Sequence, residues 1–475
     1  MKRTAIKFGT DGWRGIIAED FTFDNVRACA QGTADYYKAK GLAEKGLVIG
    51  YDTRFASEDF AEAVAEVFAG NGIKVYLCSE AAPTPVISFG VVKQKAGGAI
   101  IITASHNPAK WNGFKIKTES GASAPSEITT EIEANASKVL TDGKIKKIPF
   151  TQAMKQGPVE HIELASVYFD HISRLIHLDE LRKAELKVVF DPMYGSGAGY
   201  FTRLLGESNI ELMEINGGRN TFFGGVQPEP IAANLTKLTE AVKQHGASVG
   251  LATDGDADRM GIVDENGLFL TQLQVFSLLC LYLLEIRGER GSIIKTLTTS
   301  QMIHRLGEIF DVPVFETSVG FKYIAPRLIK ENAIIGGEES GGYGFKGHVP
   351  ERDGILACLY FLDLMIKTNK TPSQLIKYLY KKVGPHYYKR IDVEYPQEQR
   401  QAMIERVENS RKEDINGVKV ARIDTEDGYR FFLEDNAWLL IRFSGTEPIL
   451  RIYAESNSQT RTEGMLDTGK AMTGV

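Results

Sequence analysis

Cysteine is scarce in this chain: four residues in 475, at Cys29, Cys78, Cys280 and Cys358. They lie far apart in apolar surroundings, with no C-x-x-C pair and no Cys/His spacing of a metal module. A disulfide framework and a zinc site are therefore not expected, and reduced thiols in the core are. Long apolar runs are missing as well. The stretch 278–286 is short and interrupted by Tyr282 and Glu285, and no apolar segment follows the basic start MKRTAIKFGTDGWRG. Neither a membrane span nor a secretory signal is expected, and a cytoplasmic protein is. Nor is there an excess of positive charge. With 56 Lys+Arg against 61 Asp+Glu the formal net charge is −5, which argues against nucleic acid as a partner. Any anionic ligand has to be met by locally concentrated cations.

What is present reads as an ordinary globular composition, 43% hydrophobic and 25% charged, at a length that predicts about three or four domains. Strand-like apolar runs at 47–50, 73–78, 99–103, 186–190, 248–252 and 292–295 alternate with helix-length amphipathic segments, such as 57–70 with its stop signal Gly70-Asn71-Gly72. This is the pattern of α/β layers with mainly parallel or mixed sheets. Several of these strands end in a polar loop, where open α/β sheets place their ligands. The last stretch has a different texture: 417–423, 429–433, 437–443 and 450–455 alternate like strands between turns, as in a small α+β domain. Polar boundaries near 143–157, just after DGDADR, and between 369 and 385 predict domains at 1–150, 151–258, 259–375 and 376–475.

Four loops carry groups with chemical potential. In TASHNP (103–108) a buried strand runs into hydroxylic residues and a proline, which is expected to expose Ser105 at the strand end. Its hydroxyl is a weak nucleophile without a base or metal, and taken alone the segment reads as a Thr/Ser/Asn turn. In DGDADR, Asp254, Asp256 and Asp258 alternate after an apolar strand, so three carboxylates can converge on one hard cation. An EF-hand from Asp254 would end at Glu265, but it needs glycine where Arg259 stands, and it needs flanking helices. A phosphatase using Asp254 as nucleophile shares the carboxylates but leaves Asp258 and Arg259 unexplained. In GGEESGG (336–342), glycines admit a ligand and Glu338 and Ser340 offer groups for sugar hydroxyls. Lys322, beside a glycine turn, is expected within reach of the same pocket. In RFSGTEP (442–448), Arg442, Ser444, Thr446 and the backbone at Gly445 make a phosphate cradle without the P-loop lysine, with Arg451 just downstream.

Taken together and in this order, FGTDGWRG (8–15), TASHNP, DGDADR, GEESG (337–341) and RFSGTEP resemble the α-D-phosphohexomutase superfamily, most closely its phosphoglucomutase and phosphomannomutase members. The resemblance spans nearly the whole chain. It implies three related α/β/α mixed-sheet domains plus a C-terminal α+β domain around a central cleft. It also implies interconversion of hexose 1-phosphate and 6-phosphate through a phosphoserine at Ser105 and a hexose 1,6-bisphosphate. By the same resemblance Ser105, Asp254, Asp256 and Asp258 would bind Mg²⁺, and Arg14 and Lys115 would line the reaction centre. Lys115 is then a candidate general acid/base, with His106 as an accessory one. Arg259 would offset phosphate charge, Glu338 and Ser340 would hold sugar hydroxyls, and Arg442–Thr446 would hold the non-reacting phosphate. The partner is a phosphosugar, and a monomer or homodimer is expected. One departure concerns the sugar: many phosphomannomutase-type members follow Ser-Gly with histidine, whereas Gly342 stands here. With VGFKYI (319–324) and the double acid Glu338-Glu339, this tilts the expectation towards glucose phosphates. Mannose or glucosamine phosphates are alternatives, and a sugar-phosphate phosphatase or a non-catalytic phosphosugar sensor are rivals of a different class.

Overall fold

The computed structural model describes residues 6–475 apart from Thr10, Arg411, Lys412 and 445–447. Among the described residues the strands form four sheets. In the first, Leu47–Tyr51 and Ala99–Ile102 are central parallel strands; Val48, Ile49 and every residue of Ala99–Ile102 are fully buried. A strand that is apolar on both faces needs helices on both sides, and β-branched residues suit the pleat. Ser57–Gly70 supplies one cover, turning Phe60, Val64, Val67 and Phe68 onto the sheet, and it ends at Asn71 and Gly72 as its stop signal predicts. Trp111–Lys117 and then Trp13–Ile16 add as antiparallel strands on one side.

Sheet two holds Lys187–Asp191 and Val249–Thr253 in parallel, with Met260–Asp264 antiparallel beside the latter. Sheet three holds Val314–Thr317, Ile293–Thr296 and Ile335–Gly337 in parallel, with Tyr343–Phe345 antiparallel to the last. One arrangement therefore occurs three times: a buried parallel strand, a polar loop, and an antiparallel strand returning beside it. The loops are those of Ser105, of Asp254 to Arg259, and of Glu338 to Ser340. The fourth sheet is antiparallel throughout, from Tyr387–Glu394 to Asp414–Ile415, and is covered by Arg400–Asn409 and Gln459–Thr473. The α/β expectation and the small α+β C-terminal unit match these sheets.

The domain limits need correction. Val159–Ile162 joins the first sheet as a parallel edge strand beside Val75–Cys78, so that unit continues past 150 and the Lys-rich stretch is an internal connection. A limit at 258/259 would cut the hairpin of Val249–Thr253 and Met260–Asp264. A limit at 375/376 falls inside the helix Pro372–Val383, whose Leu375 and Leu379 are buried in the core of the preceding domains. Polarity marked these places in the sequence, and here polarity belongs to functional loops and helix surfaces.

One apolar core runs from Val48 to Val383 through the first three sheets. The C-terminal unit has a core of its own, and it meets the third sheet through Leu297 packed with Trp438, Leu440 and Tyr453. All four cysteines are buried and free. Among the described residues no helix is long and apolar enough to cross a membrane.

Candidate active site

Strand Ala99–Ile102 delivers Ser105 into a left-handed backbone conformation, with φ +53°, at a cost of about 1–2 kcal/mol for a residue with a Cβ. The Ser105 N–H donates to Thr103 Oγ1 at 2.8 Å, which steadies the turn. The side chain is not exposed as the sequence led one to expect: Ser105 is 1% accessible, because the aspartate loop of the second domain closes over it. Ser105 Oγ donates to Asp254 Oδ2 at 2.8 Å and lies 3.4 Å from His106 Nδ1. Gly255 permits this approach, since a Cβ there would stand 2.6 Å from the Ser105 carbonyl oxygen.

The aspartate loop is flanked by strands, not by the helices an EF-hand requires. Asp254 Oδ1 accepts the backbone N–H of Asp258 and of Arg259 at 3.0 and 3.1 Å, which folds the loop back on itself. The three carboxylates are fully buried, with one oxygen of each within 4.8 Å of the others. Asp256 Oδ1 and Asp258 Oδ1 are buried without a hydrogen-bond partner, which is costly for a carboxylate unless a cation completes the site. Burial, then Asp256 and Asp258, push the Asp254 carboxyl well above the usual range. Burial pushes Asp256 up too, but the Lys115 ammonium outweighs it and leaves Asp256 well below that range. Crowded acids with orphaned oxygens fit a divalent metal.

Cations from other elements ring this group. Lys115 Nζ, on the strand beside Ala99–Ile102, lies 2.8 Å from Asp256, 3.0 Å from Asp11 and 3.5 Å from Asp258. Its burial favours the neutral amine, yet Asp11, Asp256 and Asp258 hold it charged, above the usual lysine range. Arg14, across the sheet from Gly113, donates to Asn107 Oδ1 at 2.5 Å. Arg259 Nη1 pairs with Glu229 at 3.3 Å. Burial, and then Arg259 and Arg14, keep the His106 pKa well below normal.

The Glu338–Ser340 loop is only partly assembled around these groups. Glu338 is bound by Arg352 Nη1 at 3.3 Å, and Ser340 Oγ is buried with no hydrogen-bond partner. Glu339 turns the other way, to Tyr388 OH at 3.0 Å and Arg390 Nη1 at 3.1 Å in the C-terminal domain. Lys322 does not join Glu338 or Ser340. Its Nζ donates to Ser126 Oγ at 2.9 Å on the first domain, because it stands at the start of the helix Phe321–Lys330. In the cradle, Arg442 faces Arg451 directly across two paired strands. Like charges at such positions repel; Asp427 Oδ1 holds Arg442 Nε at 2.9 Å, and Asp392 Oδ2 lies 3.5 Å from Arg451 Nε. The Ser444 N–H donates to the Ile449 carbonyl at 2.9 Å. Gly445 and Thr446 lie outside the described residues.

Three groups escaped the sequence reading. Arg352 spans 2.7 Å to Asp258, 3.1 Å to Asp11 and 3.3 Å to Glu338, and so ties three domains together. Asp11 also holds both Lys115 and Lys117. Arg54 lies buried behind the Ser105 loop. Asp11 sat inside FGTDGWRG and Arg54 inside a strand-end YDTR, so both had a signal. Arg352 stands between Glu351 and Asp353, and nothing in the one-dimensional pattern shows that these three charged residues are buried.

Comparison with known proteins follows the same four divisions. Models of the phosphoglucomutase/phosphomannomutase family match as α/β/α domain I over residues 5–142, domain II over 166–267, domain III over 273–383 and the C-terminal domain over 391–468. A phosphoglucomutase/phosphomannomutase of Thermococcus kodakarensis is 30% identical over 462 residues, covering 97% of each chain. A Methanosphaera stadtmanae protein provisionally assigned as a phosphoglucosamine mutase is 31% identical over 459 residues, covering 97% of this chain and 96% of its own. A crystal structure from Thermus thermophilus, provisionally assigned as a phosphomannomutase, superposes over 100% of both chains with a TM-score of 0.86 and 32% identity.

Proposed function

The chain belongs to the phosphoglucomutase/phosphomannomutase family of the α-D-phosphohexomutases, isomerases that work as phosphotransferases, and from that premise we propose that it interconverts glucose 1-phosphate and glucose 6-phosphate through phosphoserine 105. The observation that carries this reading is the 2.8 Å hydrogen bond from Ser105 Oγ to Asp254, in a buried triad with two orphaned oxygens. Asp254, Asp256 and Asp258, with the phosphoserine, would hold a divalent cation such as Mg²⁺, which would supply charge neutralisation at the transferring group.

The chain's own residues account for the remaining chemistry. In the first half-reaction a sugar hydroxyl attacks the phosphorus of phosphoserine 105, so a new P–O bond forms as the P–O bond to Ser105 breaks. The attacking hydroxyl loses a proton and the oxygen left on Ser105 gains one; Lys115 and His106, whose Nδ1 lies 3.4 Å from Ser105 Oγ, are the candidate groups for these two transfers. The product is a hexose 1,6-bisphosphate, and its reversed orientation lets the other phosphate return to Ser105. Phosphoserine and phosphosugar each carry about −1.5 to −2 charges at pH 7; Arg14, Lys115 and Arg259 offset that repulsion. Glu338 and the unpartnered Ser340 hydroxyl take sugar hydroxyls. The facing pair Arg442 and Arg451, with Ser444, Gly445 and Thr446, takes the distant phosphate and gives orientation. Lys322 reaches the substrate only after leaving Ser126.

A phosphatase reading fares worse, because both Asp254 oxygens are already engaged, one by Ser105 and one by two backbone N–H groups. A second sugar does have support: relatives named as phosphoglucosamine mutases make glucosamine phosphate the next candidate. It shares with glucose an equatorial substituent at C2, which mannose lacks. The test is a mutase assay over glucose, glucosamine and mannose 1-phosphates, each primed with its own bisphosphate. The highest kcat/KM should fall on glucose, with mannose lowest. Release of inorganic phosphate without isomerisation would overturn the mutase reading.

A further inference from the structure

We propose that Arg54 is the positioning residue of the phosphoserine loop, fixing Ser105 from behind without touching substrate. The proposal rests on the reading of Ser105 as the phosphoryl carrier and adds a residue to which no chemistry has been attached. Arg54 is fully buried, and its guanidinium spends all five N–H donors. Nε donates to Asp52 Oδ2 at 3.0 Å; Nη1 donates to the carbonyls of Pro108 and Trp111, both at 3.0 Å; Nη2 donates to those of Ser105 and Asn107 at 2.6 and 2.7 Å. One rigid fork thus holds three carbonyls of the Ser105 loop and that of Trp111 at the start of the next strand, the closest being that of the nucleophile.

The fork is itself braced. Asp52 Oδ2 also accepts from Thr103 Oγ1 at 2.5 Å, and Asp52 Oδ1 accepts from Ser57 Oγ and the Arg54 N–H, both at 3.0 Å. From the second domain the Phe223 ring covers the guanidinium at 4.9 Å. Ser105 sits in a left-handed conformation that a serine leaves unless its surroundings impose it. Its carbonyl is trapped between the Arg54 fork and Gly255, and this sets the direction of Oγ towards Asp254. A lysine has three donors and no planar fork, so it cannot reproduce four carbonyl contacts.

The experiment compares full-length wild type, Arg54→Lys and Arg54→Ala. It reads kcat, KM, the fraction of Ser105 phosphorylated after incubation with glucose 1,6-bisphosphate, and amide exchange over 104–108. A displaced nucleophile should lower kcat by about 10²-fold in both variants, leave KM near wild type, and speed exchange in that segment. Added guanidinium ion should restore activity to Arg54→Ala and not to Arg54→Lys. Wild-type kcat in Arg54→Lys, or a raised KM with unchanged kcat, would overturn the proposal. Should Arg54→Ala fail to fold, Asp52→Asn keeps the arginine and removes its brace; a smaller kcat loss with faster exchange supports the assignment, and unchanged exchange refutes it. A wild type without mutase activity would instead sink the functional reading, while exchange over 104–108 continues to test what holds the loop.

Discussion

Around Ser105, side chains from three domains meet out of solvent, with Lys115 and Arg352 interlocked through Asp11, Asp256 and Asp258 and backed by an apolar core that runs through all three domains. Around Arg442 the support is thinner. The C-terminal domain has its own core and touches its neighbour through one small apolar cluster and a few polar ties: Glu339 to Tyr388 and Arg390, Gln301 to Glu455, Asp427 to Val319, and Glu316 to Arg430. If Ser105 is the phosphoryl carrier proposed above, the reacting end is organised before substrate arrives, as electrostatic catalysis requires. On the proposed function the recognition end lies on a domain with its own core, docked through one small apolar cluster and polar ties. That division suits a reaction in which an intermediate has to turn over and the site then has to exclude water.

Breaking the reacting end should have the largest effect. Ser105→Ala should lower kcat by at least about 10⁴-fold while the protein keeps its melting temperature, measured by a coupled mutase assay and circular dichroism. Next is metal removal: EDTA should cost about 10³-fold or more in activity, restored by titrating Mg²⁺ back. At the recognition end the effect should be smaller and different in kind. Arg442→Ala removes a charge-assisted contact to the distant phosphate and should lower kcat/KM by about 10- to 100-fold, with KM raised as well as kcat lowered. A pure kcat loss would place Arg442 in the chemistry instead.

The smallest effect should come from the docking tie at Glu316. Burial pushes this carboxyl up, but Lys295, His304 and Arg430 outweigh burial and hold it well below the usual 4.5. Its folded pKa is thus depressed, so its stabilisation is complete above about pH 4.5 and is lost as pH falls below that value. Glu316→Gln should cost about 1–3 kcal/mol at pH 7 and narrow the difference in melting temperature between pH 7 and pH 4. An unchanged difference would show that Glu316 does not carry the docking.

The reacting end was also the more legible in sequence. Alternating aspartates after an apolar strand announced themselves by residue type, the proline-ended hydroxylic loop gained meaning only beside the other motifs, and the strands that carry both fell within one or two residues of their expected limits. Which groups meet there was not legible. Ser105 and Asp254 are separated by 149 positions, and only the packing of two domains brings them together and buries what read as an exposed serine. Arg352 was invisible because a charge run looks the same whether solvated or enclosed by partners. Domain limits failed for a related reason: a polar stretch inside a functional hairpin resembles a linker. Lys322 was placed too near the sugar loop because spacing along a turn does not say which domain a long side chain will reach.

The central claim is that Ser105 carries the phosphoryl group in both directions. Intact-mass and peptide analysis of the active protein, before and after single-turnover mixing with glucose 6-phosphate, tests it directly. One phosphoryl group should be found on Ser105, and it should pass to the sugar at least as fast as kcat. Fully active protein with no phosphate at Ser105, or with the phosphate on Asp254, would contradict the account.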